Sequence, residues 1–272
     1  MTVDVEDYFQ VSAFSARISR DDWGNLPCRV EQNTNRVLDI FAEGGAKATF
    51  FTLGWVAERY PQLIRRIADE GHEVASHGMA HFRVGDQTPD QFLEDISKTR
   101  KILQDVSGQP VIGYRAASFS IGVDTLWAHD VLAEAGYSYS SSVYPVRHDH
   151  YGIPDAPRFR YVPNAGTALT ELPMTTVKLF NRNLPCSGGG FFRLLPYGYF
   201  RWAIGKVNRE EQQSTIFYFH PWEIDTDQPR QDGLSAKTRF RHYVNISRMA
   251  PRLRRMLKDF SWDRMDRVFD VA

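Results

Sequence analysis

Glu73-Val-Ala-Ser-His77-Gly-Met-Ala-His81 is a short apolar run that ends in two histidines four residues apart. Such a run reads as a buried strand whose C-terminal end carries polar chemistry. The same shape recurs along the chain: Thr2–Val5, Ala48–Leu53, Glu73–Ser76, Val111–Tyr114, Ser138–Ser142, Leu169–Leu172 and Thr215–Phe219 are all candidate strands. Amphipathic stretches lie between several of them. Val30–Gly44 reads as a helix closed by Gly44-Gly45. Thr88-Pro-Asp-Gln91 has capping-box spacing and opens a helix that runs to Gly108. Asp124 is placed to cap a helix through Leu126, Val131 and Leu132 to Gly136. Strands alternating with helices predict an α/β fold with a largely parallel sheet. Seven strands without a G-x-G-x-x-G turn favour a barrel-like sheet over a dinucleotide fold.

Composition sets the outer bounds. The 272 residues are 42% hydrophobic, 24% charged and 13% aromatic, enough apolar material to exclude a disordered or low-complexity chain. Thirty-three Lys and Arg balance thirty-three Asp and Glu, so bulk attraction to nucleic acid is not expected. The balance hides a basic segment: Arg230 to Lys258 holds nine cations and one acid, Asp232. Arg248, Arg252 and Arg255 recur there at helical spacing, a face that could attract an anionic polymer or a lipid surface. No apolar run approaches the roughly 20 residues of a membrane span. The opening Met-Thr-Val-Asp-Val-Glu-Asp does not read as a signal peptide. A cytoplasmic location is therefore expected, with a periplasmic one left open for a chain trimmed of its leader. Cys28 and Cys186 make no disulfide framework and can pair only if the fold brings them together.

Four patterns could carry chemistry. In Asp4-Val-Glu6-Asp7, strand alternation puts Asp4 and Glu6 on one face, and a nearby cation would keep both ionised. His77 and His81, at i and i+4, can converge on one ion from a helical turn. With one carboxylate they make a ligand set that leaves positions open for water and substrate. Arg115, after the run ending in Tyr114, can hold a carboxylate by two hydrogen bonds. His220 closes Ile216-Phe-Tyr-Phe219 and has the near-neutral pKa of a general acid. Taken singly, each pattern also has a structural reading: a fraying acidic strand, surface histidines, a loop arginine, a core histidine.

In order and spacing, these motifs resemble the polysaccharide deacetylases of carbohydrate esterase family 4, the NodB homology domain. The resemblance rests on Asp4-Val-Glu6, Lys47-Ala-Thr-Phe-Phe51, His77-Gly-Met-Ala-His81, Tyr114-Arg115 and Phe219-His220, within residues 1–225. Ser187-Gly-Gly-Gly-Phe-Phe-Arg-Leu-Leu-Pro196, His220-Pro-Trp-Glu-Ile-Asp225 and Arg239-Phe-Arg-His-Tyr243 resemble a bacterial subfamily linked to exosortase-type exopolysaccharide gene clusters. The resemblance implies a deformed (β/α) barrel of about seven parallel strands in a single domain over 1–272, with residues 230–272 as a basic helical extension. It implies metal-dependent removal of N-acetyl groups from N-acetylhexosamine residues of a polysaccharide. Carried over by position, Asp4 is the general base, Arg115 orients it, and His220 protonates the leaving amine. Glu6, with Asp7 as the alternative, joins His77 and His81 around one divalent ion, Zn²⁺ being expected. A backbone N–H near Arg115–Ala116 helps to stabilise the oxyanion. Trp222, Tyr114 and Phe191 are candidates for contact with sugar rings, and Gly188–Gly190 reads either as a lip over the groove or as a turn.

Two departures from the family pattern stand out. Ala116-Ala-Ser-Phe-Ser120 replaces the usual Pro-Pro-Tyr-Gly, and Ser138–Ser142 brings no acid, leaving the partner of Arg115 or His220 unassigned. The rival readings are a same-superfamily hydrolase of a small amide and a silent carbohydrate-binding protein.

Overall fold

The computed structural model describes residues 1–149 and 151–271. Seven of its strands are β1 (Thr2–Val5), β2 (Thr49–Thr52), β3 (Glu73–Ser76), β4 (Gly113–Tyr114), β5 (Tyr139–Ser140), β6 (Thr170–Glu171) and β9 (Tyr218–Phe219). They form one parallel sheet in the order β6-β5-β4-β3-β2-β1-β9. The sheet curls into a deformed half-barrel with β6 and β9 at its edges. Every residue of β1, β2 and β3 is buried, because helices cover the outer face and side chains fill the inner one.

Helices fill the crossovers. α1 (Val30–Gly44) follows an excursion with 3₁₀ turns at Ser12–Phe14 and Arg20–Asn25. α2 (Gly54–Arg59) and α3 (Pro61–Asp69) join β2 to β3, α4 (Pro89–Ser107) joins β3 to β4, and α5 (Ala128–Glu134) joins β4 to β5. Beyond β6, β7 (Thr176–Leu179) and β8 (Arg182–Pro185) form an antiparallel hairpin. α6 (Gly189–Leu194) and α7 (Tyr197–Arg209) then lead into β9, and α8 (Ala236–Tyr243), α9 (Met249–Asp259) and α10 (Met265–Phe269) follow it.

Local signals account for the clearest boundaries. Gly45 adopts φ 63° at the end of α1, a left-handed turn that glycine tolerates without strain. Thr88 and Gln91 exchange the reciprocal side-chain bonds of a capping box at the start of α4. Asp124 caps nothing of the kind. It lies inside a 3₁₀ turn closed by Gly122 N–H donating to Thr125 Oγ1, and α5 begins only at Ala128. The later strands are shorter than their apolar runs because the ladder is irregular; Ile112 O, for instance, accepts from both Ser138 and Tyr139 N–H. The β7–β8 hairpin escapes a sequence reading. Its turn puts Phe180 and Asn181 at φ 46° and 59°, and the phenylalanine masks the usual Asn-Gly signature.

The apolar side of the basic segment is committed within the fold, while most of its cations stay exposed. Met249, Leu253, Met256 and Leu257 of α9 lie in the main core with Val3 and Phe50. Arg252 donates to the carbonyls of Phe192, Arg193 and Leu195, Arg254 pairs with Glu43 at 2.8 Å, and Arg255 lies over Tyr197. Arg252 thus closes a seam and is not part of a free cationic face. Cys28 and Cys186 are both free thiols. Among the described residues, no helix is long and apolar enough to cross a membrane.

Candidate metal centre and catalytic groups

Register brings the polar residues together. Val5 pairs with Thr52, Thr52 with Ser76, and Ser76 with Tyr114, so the residues following these positions emerge at one end of the sheet. Those residues include Glu6, His77 and Arg115. On the other side of β1, Val3 pairs with Phe219, which sets Asp4 level with His220. Residues far apart in the chain thereby meet at the C-terminal edge of a parallel sheet.

Glu6, His77 and His81 present ligand atoms that all lie within 4.8 Å of one another, and all three side chains are buried. Arg115 O lies 2.9 Å from His77 Nδ1. A carbonyl can only accept, so Nδ1 carries the proton and Nε2 is left with its lone pair. Burial, opposed by Asp4, holds the His77 pKa down at about 4, so the ring is neutral. Glu6 Oε2 lies 3.0 Å from His81 Nε2, yet it is buried without a hydrogen-bond partner. Close but unbonded donor atoms fit ligands aimed at a common point. Burial alone would raise the Glu6 pKa, but His81 and His220 outweigh it and hold the carboxylate at about 2. A neutral imidazole, a second imidazole and an ionised carboxylate suit a divalent cation.

The His77–His81 segment is not the helical turn that its spacing suggests. It is a loop with Gly78 at φ 76° and His81 itself at φ 55°. A histidine in the left-handed region is uncommon and needs outside support. Arg20 supplies it by donating to Ala80 O and His81 O at 2.7 and 2.9 Å, and Asp95 accepts from Met79 N–H at 2.9 Å. His72, which received no role, is structural and accepts from Ala48 N–H.

Asp7 is not the alternative ligand. Its Oδ1 accepts from Tyr8 N–H, and its Oδ2 accepts from Arg29 and Val30 N–H at the start of α1. Both oxygens are committed to backbone donors. Glu6→Ala is therefore expected to abolish stoichiometric metal binding. Asp7→Ala should keep the metal and lose about 1–2 kcal/mol of stability. Metal analysis of the purified variants beside denaturant titration checks both.

Asp4 Oδ1 accepts from Arg115 Nη1 at 2.6 Å. Arg115 is fully buried and also donates to Thr2 Oγ1, Ser141 O and Ser141 Oγ, with its guanidinium 4.0 Å from the Phe51 ring centroid. Ser141 is thus what the acid-free Ser138–Ser142 stretch contributes. His220 Nε2 lies 3.3 Å from Glu6 Oε1 and 4.0 Å from Asp4 Oδ2, and its Nδ1 meets Glu223 Oε1 at 2.8 Å. Burial opposes charge on this ring, but Glu6, Glu223 and Asp4 prevail and raise its pKa to about 9. Arg193, also buried, donates to Glu223 Oε2 at 2.7 Å.

Sequence reasoning missed Glu223 and Arg193. The His220-Pro-Trp-Glu223 spacing is a capping box, and that signal could have found Glu223. Arg193 lies 30 residues from its partner and carries no local signal. The glycine run serves this pair. A Cβ on Gly189 would fall 2.2 Å from Glu223 Oε1, and Gly188 adopts φ 97° against Tyr218. The run is therefore a close-packing point.

Other expectations need correction. Trp222 is buried with its ring stacked on His220 and on His242, which leaves no face for a sugar. Tyr114 is buried edge-on against Phe92 and Tyr137, whereas Phe191 is half-buried with one side against the main core. Arg115 N–H donates to Ser76 O and Ala116 N–H to Ser142 Oγ, so neither is free for an oxyanion.

Residues 20–140 match the polysaccharide deacetylase family model. Over that stretch the chain is similar to the polysaccharide deacetylases. Residues 141–270 match a domain of unknown function, DUF3473. His77, His81 and Arg115 lie in the deacetylase match, whereas Ser141, Arg193, His220 and Glu223 lie in the second segment and Asp4 and Glu6 precede both. A chitooligosaccharide deacetylase of Bradyrhizobium sp. is 29% identical over 130 residues, which are 48% of this chain and 55% of that protein. A peptidoglycan-N-acetylglucosamine deacetylase of Bacillus cereus is 37% identical over 75 residues, 28% of this chain and 27% of that protein. The chain thus spans about half or less of the length of these curated relatives. A solved Mycobacterium smegmatis structure, described as a candidate polysaccharide deacetylase, matches with a TM-score of 0.61 at 20% identity. It covers 100% of this chain and 88% of that one. At that identity the likeness establishes the shared fold, the deformed (β/α) barrel of the deacetylase domain.

Proposed function

We propose that the chain hydrolyses the N-acetyl groups of N-acetylhexosamine residues in a polysaccharide, with Zn²⁺ as the divalent ion and exopolysaccharide assembly as the setting. The observation that carries this reading is the pairing of Asp4 and His220 beside the Glu6, His77 and His81 cluster. An amide resists hydrolysis because its carbonyl is weakly electrophilic and its amine leaves poorly. A divalent ion held by Glu6, His77 and His81 would supply Lewis acidity for the carbonyl and lower the pKa of a water toward about 7.

Asp4, fixed by Arg115, takes the proton of the attacking water. Ionised Glu223 accepts from His220 Nδ1–H, and the histidine ring, its pKa raised to about 9, is an imidazolium that carries a second proton on Nε2, the edge that faces Asp4 and Glu6. From there it donates to the nitrogen of the departing amine, so a free amine and acetate leave. The resemblance to chitooligosaccharide and peptidoglycan deacetylases supports an N-acetylglucosamine polymer as substrate.

Zn²⁺-loaded protein is expected to release acetate from N-acetylglucosamine oligomers and to stop when chelated. His220→Ala should lower turnover by about two to four orders of magnitude. Acetate release would be followed enzymatically, with small acetamides as the comparison substrates. Turnover of the small amides alone would overturn the polymer reading, and near-wild-type turnover by His220→Ala would overturn the acid.

A further inference from the structure

Lys178-Leu-Phe-Asn-Arg182 forms the tip of the β7–β8 hairpin. The root of that hairpin is held firmly. Val177 packs with Cys186, Ala203 and Val207, and Arg158 donates to Thr176 Oγ1 and Thr176 O at 3.1 and 2.6 Å. Beyond this anchorage nothing covers the chain: Lys178 and Leu179 are exposed, and Phe180 at the apex is 91% exposed. Its φ of 46° is costly for a bulky residue and far easier for asparagine or glycine. The turn therefore holds a strained aromatic ring out in solvent where a polar residue would fold more readily.

Charge flanks the apex. Leu179 pairs with Arg182 and Lys178 with Asn183, so strand alternation sets Arg182 on one face of the hairpin and Lys178 on the other. Among the described residues, neither cation makes a side-chain hydrogen bond or an ion pair. The acids near the root do not reach them. Glu211 is engaged by Arg158, and exposed Asp155 follows Pro154, whose carbonyl accepts from Asn183 Nδ2. Also at the root, Tyr199 donates to Pro185 O at 2.9 Å, and its ring lies 5.9 Å from that of exposed Trp202.

An apolar apex between two unpaired cations, with Tyr and Trp behind it, matches the layers of a lipid–water interface. The apolar side chains suit the acyl boundary, the amphipathic rings the headgroup level, and the cations anionic headgroups. A protein partner fits less well, because a stable interface takes about 20–30 residues a side and this tip is far smaller.

We propose that the hairpin tip docks the protein on a membrane surface that carries anionic lipid. Leu179 and Phe180 insert at the boundary of headgroups and acyl chains, and Lys178 and Arg182 meet the headgroups. So small an apolar insertion gives reversible attachment, not permanent anchoring. The proposal does not depend on the hydrolysis proposed above.

The test is sedimentation of the full chain with vesicles of phosphatidylcholine alone and of phosphatidylcholine mixed with phosphatidylglycerol. The parent is expected to bind the anionic vesicles and to leave them as salt rises. Phe180→Asn removes the ring and supplies a residue that the left-handed turn tolerates, so the fold is kept. It should weaken vesicle binding by at least about tenfold without lowering Tm. The Lys178→Gln, Arg182→Gln double variant should lose most of the preference for anionic lipid. Phe180→Trp gives a second readout, because its added fluorescence should be quenched by lipid brominated on the acyl chains. No sedimentation with anionic vesicles, or no quenching at position 180, would overturn the proposal. Unchanged binding by Phe180→Asn would overturn it too, since the cations of α8 and α9 would then be the ones that bind. An unchanged anionic preference in the double variant would do the same. Self-association that needs Phe180 but no vesicles would assign the tip to a second copy of the chain and overturn the lipid reading.

Discussion

Asp4→Asn is expected to lower acetate release by about two to four orders of magnitude while metal content stays at that of the parent. The substitution preserves shape and removes only the basic oxygen. Arg115 still needs an acceptor, so the asparagine carbonyl will face it and the amide nitrogen will take the position of Oδ2. That nitrogen cannot accept a proton from water. Metal content should survive because the converging ligand atoms belong to Glu6, His77 and His81. Activity assays at saturating metal, beside elemental analysis, separate loss of the base from loss of the ion. Retention of turnover within about tenfold would remove Asp4 as the base, since general base catalysis is worth more than that.

Arg193→Ala should destabilise the fold by about 3–5 kcal/mol, because it leaves a buried carboxylate without its cation. Arg193 donates to Glu223 Oε2 at 2.7 Å, to Val244 O at 2.7 Å and to His242 O at 2.9 Å, so its loss also strands backbone acceptors. At this chain length such a loss lowers Tm on the order of 10 °C. Lysine is no substitute: one ammonium cannot reach a carboxylate and two carbonyls set around a planar fork. Thermal melts of Arg193→Ala and Arg193→Lys would check this, and a shift under about 2 °C in both would show that the pair does not hold the fold.

This pair also bears on the division of the chain between two family matches. His220, Glu223 and Arg193 belong to the segment that matches a domain of unknown function, and Asp4 and Glu6 lie upstream of the deacetylase match. The parallel ladder reconciles the two, because β9 pairs with β1 and so carries His220 to Asp4. Neither segment holds the whole set of proposed acid, base and metal ligands. Although the Ser138–Ser142 stretch brings no acid, its own Ser141 supports Arg115, and Glu223 supports His220 from a separate 3₁₀ turn.

The alternation of apolar runs with amphipathic stretches was enough to place seven parallel strands, because buried strands need continuous apolar sequence whatever surrounds them. The caps at Thr88 and Gly45 were equally readable, since capping is a contact among near neighbours. The order of the motifs along the chain also marks Asp4, Glu6, His77, His81, Arg115 and His220. Tertiary structure alone separated Glu6 from Asp7. Both are acids at one strand end, and only the arrival of α1 at Asp7 turns that carboxylate into a helix cap. It alone decided that Trp222 and Tyr114 are packed in, because a ring's exposure depends on what distant segments lay over it. And it alone supplied Arg193, whose charge is tolerable in the core only because a carboxylate and backbone carbonyls from two other parts of the chain converge on it.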